Sequence, residues 1–196
     1  MGRPREFDVD EATEQAMRAF WRGGYVGTSL SDLMAATGLE KGSLYKAFGC
    51  KEELFLAALD RYLGAGVSRF EAVVRSAPTA PEALRAILEG VAESCGGAQG
   101  ASGCLAVNAT IESGDGPPAA ARRLARHWAW MRSVFERVIV QGQAEGSLRG
   151  DLPAADLADL VTRLVAGTAV MTRQDPAAGA DLAHRVLALL TPTGSP

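Results

Sequence analysis

The sequence predicts an all-α protein, with a small N-terminal three-helix unit followed by a larger C-terminal helical unit. Three observations carry this. Apolar residues recur every three or four positions along almost the whole 196-residue chain, and no stretch shows the period-two alternation of a strand. Turn signals built from Gly, Pro, Ser and Asp fall at helix-length intervals. At 47% hydrophobic and 22% charged residues, with a formal net charge of -3, the chain has the composition of ordinary globular material able to bury a core.

The same arithmetic excludes several classes. The longest apolar stretch, Leu164 to Met171, is far short of the roughly 20 residues of a membrane span. The basic start Met1-Gly2-Arg3-Pro4-Arg5 runs into Glu6, Asp8 and Asp10, so neither a secretory signal nor, with Glu6 at its sixth position, a myristoylation signal is expected. Three cysteines, Cys50, Cys95 and Cys104, without CxxC spacing argue against a disulfide scaffold or a zinc site. A soluble cytoplasmic protein without metal or cofactor is the expectation.

Each element has a local cause. Asp8, with Glu11 three residues on, reads as the cap of a first helix that buries Ala12, Ala16 and Phe20 and stops at Gly23-Gly24. Ser29 with Asp32 starts a second, short helix that ends at Gly38, where a left-handed backbone favours glycine. A third short helix runs from about Lys41 to Phe48, and a long fourth from Lys51 to about Arg75, before Ala77-Pro78. Pro81-Glu82 opens a fifth, to about Glu93, and the glycine-rich run Gly96 to Gly103 reads as a loop. Further helices are predicted from Cys104 to Glu112, Ala119 to Ala144, Pro153 to Thr172 and Pro176 to Leu190, with a disordered tail from Thr191 to Pro196.

Residues 28–51 form a helix-turn-helix candidate: two short helices around Gly38-Leu39-Glu40. Leu33, Leu39, Leu44 and Phe48 are spaced to face inward. Lys41, Gly42, Ser43, Lys46 and Ala47 then face outward. Small residues let a backbone approach DNA, and lysines and hydroxyls reach phosphates and base edges. Residues 1–60 hold 7 basic against 10 acidic groups, yet Glu40 is the single acid between Leu33 and Lys51. Affinity follows the number of phosphates that meet a cation, not the sum of charges. Arg3 and Arg5 sit in an arm ahead of the first helix that resembles a minor-groove extension.

From Phe7 to about Leu59 the chain resembles the DNA-binding domain of the TetR/AcrR family of bacterial regulators. The residues that carry this are Gly24-Tyr25, Thr28-Ser29, Leu33, Ala36, Gly38, Lys41-Gly42-Ser43-Leu44-Tyr45, Phe48, Lys51-Glu52 and Leu54-Phe55. The resemblance implies a helix-turn-helix DNA-binding domain over 1–50, an effector-binding and dimerisation domain over 51–190 with a linking helix at 51–75, and a dimer on double-stranded operator DNA. It also implies Ser31, Lys41, Ser43, Tyr45, Lys46 and Lys51 as DNA contacts, with the helix Lys41 to Phe48 in the major groove. Many members carry His where this chain has Ala47, so no contact is assigned there. Arg18 and Arg22 read as a solvated helix face.

The C-terminal part resembles the family in being helical, so its own residues carry the reading. The last two helices are apolar on more than one face, through Leu157, Leu160, Val161, Leu164, Val165, Val170 and then Leu182, Val186, Leu187, Leu189, Leu190. Such helices must be covered on several sides, and Gly167 allows close approach of a partner helix. In the family the last two helices pair with those of a second copy, and the pattern here is compatible with a homodimer. An effector pocket is expected among the middle helices, with Leu105, Asn108, Ile111, His127, Trp128 and Met131 as candidates and Thr110 and Glu112 as further polar ones. An aromatic content of 6% disfavours a stacking cage. Cys104 opens a helix, where the dipole favours a thiolate. The Gly103-Cys104-Leu105 stretch also resembles a branch of the family that senses electrophiles or oxidants, so Cys104 is a redox-sensing candidate and Cys95 its resolving partner.

These features point to a regulator of transcription, most simply a repressor released by a small molecule or a thiol-reactive signal. A helical protein-binding adaptor is the alternative. No GxSxG elbow, phosphate loop or HExxH is present, and the two histidines, His127 and His184, assemble no catalytic group, so an enzyme is not expected.

Overall fold

The computed structural model describes residues 7–96 and 103–192, and all regular structure among them is helical. The helices are α1 (Val9–Gly27), α2 (Leu30–Thr37), α3 (Lys41–Phe48), α4 (Lys51–Ser76), α5 (Ala80–Gly96), α6 (Leu105–Ile111), α7 (Pro118–Ala144), α8 (Ala154–Met171) and α9 (Leu182–Leu190). Short 3-10 turns follow α6 at Glu112–Gly114 and precede α9 at Pro176–Gly179. Arg3 and Arg5, the loop residues 97–102 and the tail residues 193–196 lie outside the described residues.

The caps form as the sequence predicts. The Asp8 carboxylate accepts the amides of Asp10 at 2.8 Å and Glu11 at 3.3 Å, so the first α1 donors are satisfied. Ser29 and Asp32 make a reciprocal capping box, Asp32 N–H to Ser29 Oγ at 3.1 Å and Ser29 N–H to Asp32 Oδ2 at 2.8 Å. Gly38, at φ 67°, closes α2 with its amide on the Met34 carbonyl.

Two expectations change. α1 does not end at Gly23-Gly24: it kinks at Gly24 (φ 69°, ψ 177°) and continues to Gly27, where the Thr28 hydroxyl donates to the Gly24 carbonyl at 2.6 Å. The segment from Pro176 to Leu190 is not one helix. Asp175 caps a single 3-10 turn through the Ala177 amide, Gly179 is buried against Ala92 of α5, and α9 starts afresh after Asp181.

Packing divides into two cores. One joins α1, Leu33 of α2, Leu44 of α3 and the first half of α4, around Phe20, Leu54, Phe55 and Leu59. Leu105, Ala106 and Ala109 of α6 and Leu124 of α7 close its open side. The other joins α5, α7, α8 and α9 around Leu84, Leu88, Phe135, Ile139 and Val186, and Phe70 of α4 reaches into it. α4 therefore belongs to both cores. No buried side-chain polar atom among the described residues is without a hydrogen-bond partner.

Candidate nucleic-acid interface and effector cavity

α3 is held by the buried Leu44 and the half-buried Phe48, and presents its other side chains. Lys41, Gly42, Ser43, Tyr45, Lys46 and Ala47 are exposed, as is Ser31 on α2. Gly49 at φ 73° ends α3 with its amide on the Tyr45 carbonyl, which turns the chain at once into α4. Lys51, the first residue of α4, lays its ammonium over the Tyr25 ring at 4.7 Å, while Lys41 lies 5.9 Å from the Tyr45 ring. Among the described residues none of Lys41, Lys46 or Lys51 has a carboxylate within salt-bridge distance. Arg18, by contrast, pairs with Glu14 at 3.1 Å, and Arg61 of α4 joins the same carboxylate at 2.8 Å. The Arg61 guanidinium holds that carboxyl below its ordinary range. The face thus carries three cations with no ion-pair partner among the described residues, three hydroxyls and a close-approach glycine, which is the equipment for phosphates and base edges.

A cavity of about 60 Å³ lies between α4, α5, α6, α7 and α8. Of the candidates chosen from sequence, His127, Trp128 and Met131 line it, and so does Cys104. Three do not. Leu105, 1% exposed, points the other way and packs into the core of the N-terminal head. Asn108 is buried with its carbonyl oxygen accepting from Arg173 at 3.2 Å. Ile111 is 66% exposed and borders a separate apolar groove of about 420 Å³ with Ala166, Gly167 and Val170. The reason is common to all three. α6 is a seven-residue helix with partners on every side, so its period divides those side chains among core, cavity and surface. Thr110 receives the Trp128 indole N–H at 3.0 Å, and Glu112 faces α1.

The cavity wall is more aromatic than the composition foretells: Tyr62, Phe70, Trp128 and Trp130 all border it. His127 stacks on Trp130 at 5.7 Å, and burial pushes its imidazole below its ordinary range. The Tyr62 hydroxyl donates to Cys104 Sγ at 3.3 Å. Burial, with the Cys104 sulfur beside it, pushes the Tyr62 phenol well above its usual value. Trp21 of α1 packs edge-on against Tyr62 and donates its indole N–H to the Gly103 carbonyl at 2.8 Å. Cys104 is the cap of α6 rather than a residue inside its first turn, and makes no cap hydrogen bond. The sulfur is instead held by the hydrogen bond from Tyr62. Cys95 also lines the cavity, and burial holds its thiol up to about 12. A thiol so protonated is a slow nucleophile, which weighs against a resolving role. Cys50 is exposed at the start of α4, next in sequence to Lys51.

Sequence reasoning missed Tyr62, Trp21 and the Glu112 contact. None has a local signature, since each acts across 42 to 87 residues of chain.

The comparisons agree with this geometry. Residues 12–58 match the model described as bacterial regulatory proteins, tetR family, and residues 80–186 match the tetracyclin repressor-like C-terminal domain. The chain is 33% identical over 175 residues to the HTH-type transcriptional repressor ComR of Escherichia coli (strain K12), covering 88% of this chain and 83% of that protein. It is 30% identical over 151 residues to the HTH-type transcriptional regulator YezE of Bacillus subtilis (strain 168), covering 77% and 78%. Among solved structures, a cysteine-substituted TetR family regulator CifR complexed with 26-bp double-strand operator DNA superposes with a TM-score of 0.84 at 31% identity, covering 96% of this chain and all of that one. The chain belongs to the TetR family of bacterial regulators, and is a DNA-binding regulator of transcription rather than an enzyme.

Proposed function

We propose that the protein is a repressor that binds a palindromic operator as a homodimer and leaves it when the cavity is occupied or Cys104 is modified. The observation that carries this is the face formed by Lys41, Lys46 and Lys51, without an ion-pair partner among the described residues, on elements joined by α4 to the cavity. α3 enters the major groove with Lys41, Gly42, Ser43, Tyr45 and Lys46, Ser31 and Lys51 meet the flanking backbone, and Arg3 and Arg5 reach the minor groove. Residues 1–50 read the DNA, and residues 51–190 take the effector and pair the subunits.

Pairing runs through α8 and α9, where Leu160, Val170, Met171 and Leu189 are exposed apolar side chains. A two-fold protein suits half-sites one helical turn, about 34–36 Å, apart. ComR carries the name of a repressor, and the CifR structure holds operator DNA, which supports the same reading here. No helix among the described residues is long and apolar enough to cross a membrane, and we place the protein in the cytoplasm with its DNA. The effector class favoured by the wall is small and largely apolar, and a soft electrophile would add to Cys104 with loss of the thiol proton to solvent.

Selection of bound duplex from a random pool, followed by sedimentation and gel shift, tests the reading. A dimer with an inverted-repeat preference and a steep salt dependence is expected. A monomer without DNA affinity would overturn it. In a Cys50→Ser background, mass spectrometry after brief N-ethylmaleimide treatment should find the adduct on Cys104 and not on Cys95, with operator binding lost there and retained when Cys104→Ser is added.

A further inference from the structure

α6 is pinned to the DNA-reading head at both ends. At its start the Trp21 indole N–H reaches the Gly103 carbonyl at 2.8 Å. At its end the Glu112 carboxylate accepts the backbone N–H of Tyr25 at 2.8 Å. The kink at Gly24 (φ 69°) turns that amide out of the α1 ladder, and a side chain at Gly24 would collide with the Glu112 carboxylate. No cation lies within 4.0 Å of Glu112 among the described residues, so its charge is directed at this one amide, a charge-assisted bond. The Tyr25 ring packs on Phe55 at 4.9 Å and carries the Lys51 ammonium on its face. The same α6 lends Ala106 and Val107 to the cavity wall.

We infer that Glu112 is a positioning residue for operator binding: it fastens the kinked end of α1 to the cavity helix, and so sets where Lys51 and the reading helix stand. Displacement of α6 by a cavity occupant then pulls directly on the head, in parallel with any movement of α4. The role rests on the operator-binding reading proposed above.

The test uses full-length protein and an operator selected from random duplex. Glu112→Gln keeps an acceptor oxygen at the same reach, and Glu112→Ala removes it. Val134→Ala, deep in the other core, is a destabilised control remote from α1. Hydrogen exchange over residues 24–28 should quicken in Glu112→Ala and stay slow in Glu112→Gln. Operator affinity by fluorescence anisotropy should fall about tenfold in Glu112→Ala, within the usual range of site coupling, and remain within twofold of wild type in Glu112→Gln and Val134→Ala. Unchanged exchange in Glu112→Ala, unchanged affinity despite faster exchange, or equal losses in Gln and Ala variants would each overturn the positioning role. Wild-type protein that binds no duplex at all would sink the operator reading itself, and the role with it, a result separable from the others because exchange is read without DNA.

Discussion

The lysines of the N-terminal head and many arginines of the C-terminal bundle differ in the company they keep. In the bundle and along α4, several arginines are matched within 2.9 Å, among them Arg123 to Asp60, Arg137 to Glu71, Arg149 to Asp151, Arg163 to Asp159 and Arg185 to Asp181. In the head, Lys41, Lys46 and Lys51 are left without a carboxylate among the described residues. Solvated pairs contribute little stability, roughly 0–1 kcal/mol each, so the pairing is chiefly a way of silencing surface charge. The lesson is that a net charge of -3 does not decide whether a chain can meet phosphates, because what counts is how many cations stand together on one exposed face.

The largest effect that would break this division concerns α6. Leu105→Ala should destabilise the protein by about 2–5 kcal/mol, as a truncation in the head core, with a matching shift in the urea midpoint. A cost below about 1 kcal/mol with an altered effector response would return Leu105 to the cavity wall. Next, Lys41→Ala and Lys46→Ala should each weaken operator binding by about 1–3 kcal/mol and flatten the salt dependence, with thermal stability unchanged. Arg163→Ala, from the paired set, should alter neither by more than about 0.5 kcal/mol, and equal losses from both classes would erase the contrast.

Smaller still, Ser29→Ala should cost about 1 kcal/mol by opening the α2 capping box, visible in chemical denaturation. The smallest signal is a pH dependence. Burial lowers the folded-state value for His127, so the unfolded chain takes up a proton first as pH falls below about 6.5, and stability declines from there. His127→Gln should flatten that limb of the denaturation profile, and an unchanged limb would assign it to the carboxylates.

Legibility followed the range of the interaction. The Asp8 cap, the Ser29-Asp32 box, Gly38 and the turn after Phe48 are events within four residues, and each formed where the spacing put it. The cavity was legible only in part. His127, Trp128, Met131 and Cys104 do line it, but a seven-residue helix cannot announce which of its faces meets which neighbour, and Leu105, Asn108 and Ile111 went elsewhere. An aromatic fraction averaged over the chain likewise hid the gathering of Tyr62, Phe70, Trp128 and Trp130 at one place.

Composition and spacing by themselves determined the all-helical class, the helix-turn-helix head and the outward lysines of α3, because capping, periodicity and glycine conformation are local properties of a chain. Packing alone decided that α6 would close the head core, that Tyr62 would meet the Cys104 sulfur, and that Glu112 would clasp the Tyr25 amide. Those contacts depend on how rigid helices far apart in sequence share one volume, and burial and hydrogen-bond satisfaction are settled only when every neighbour is in place.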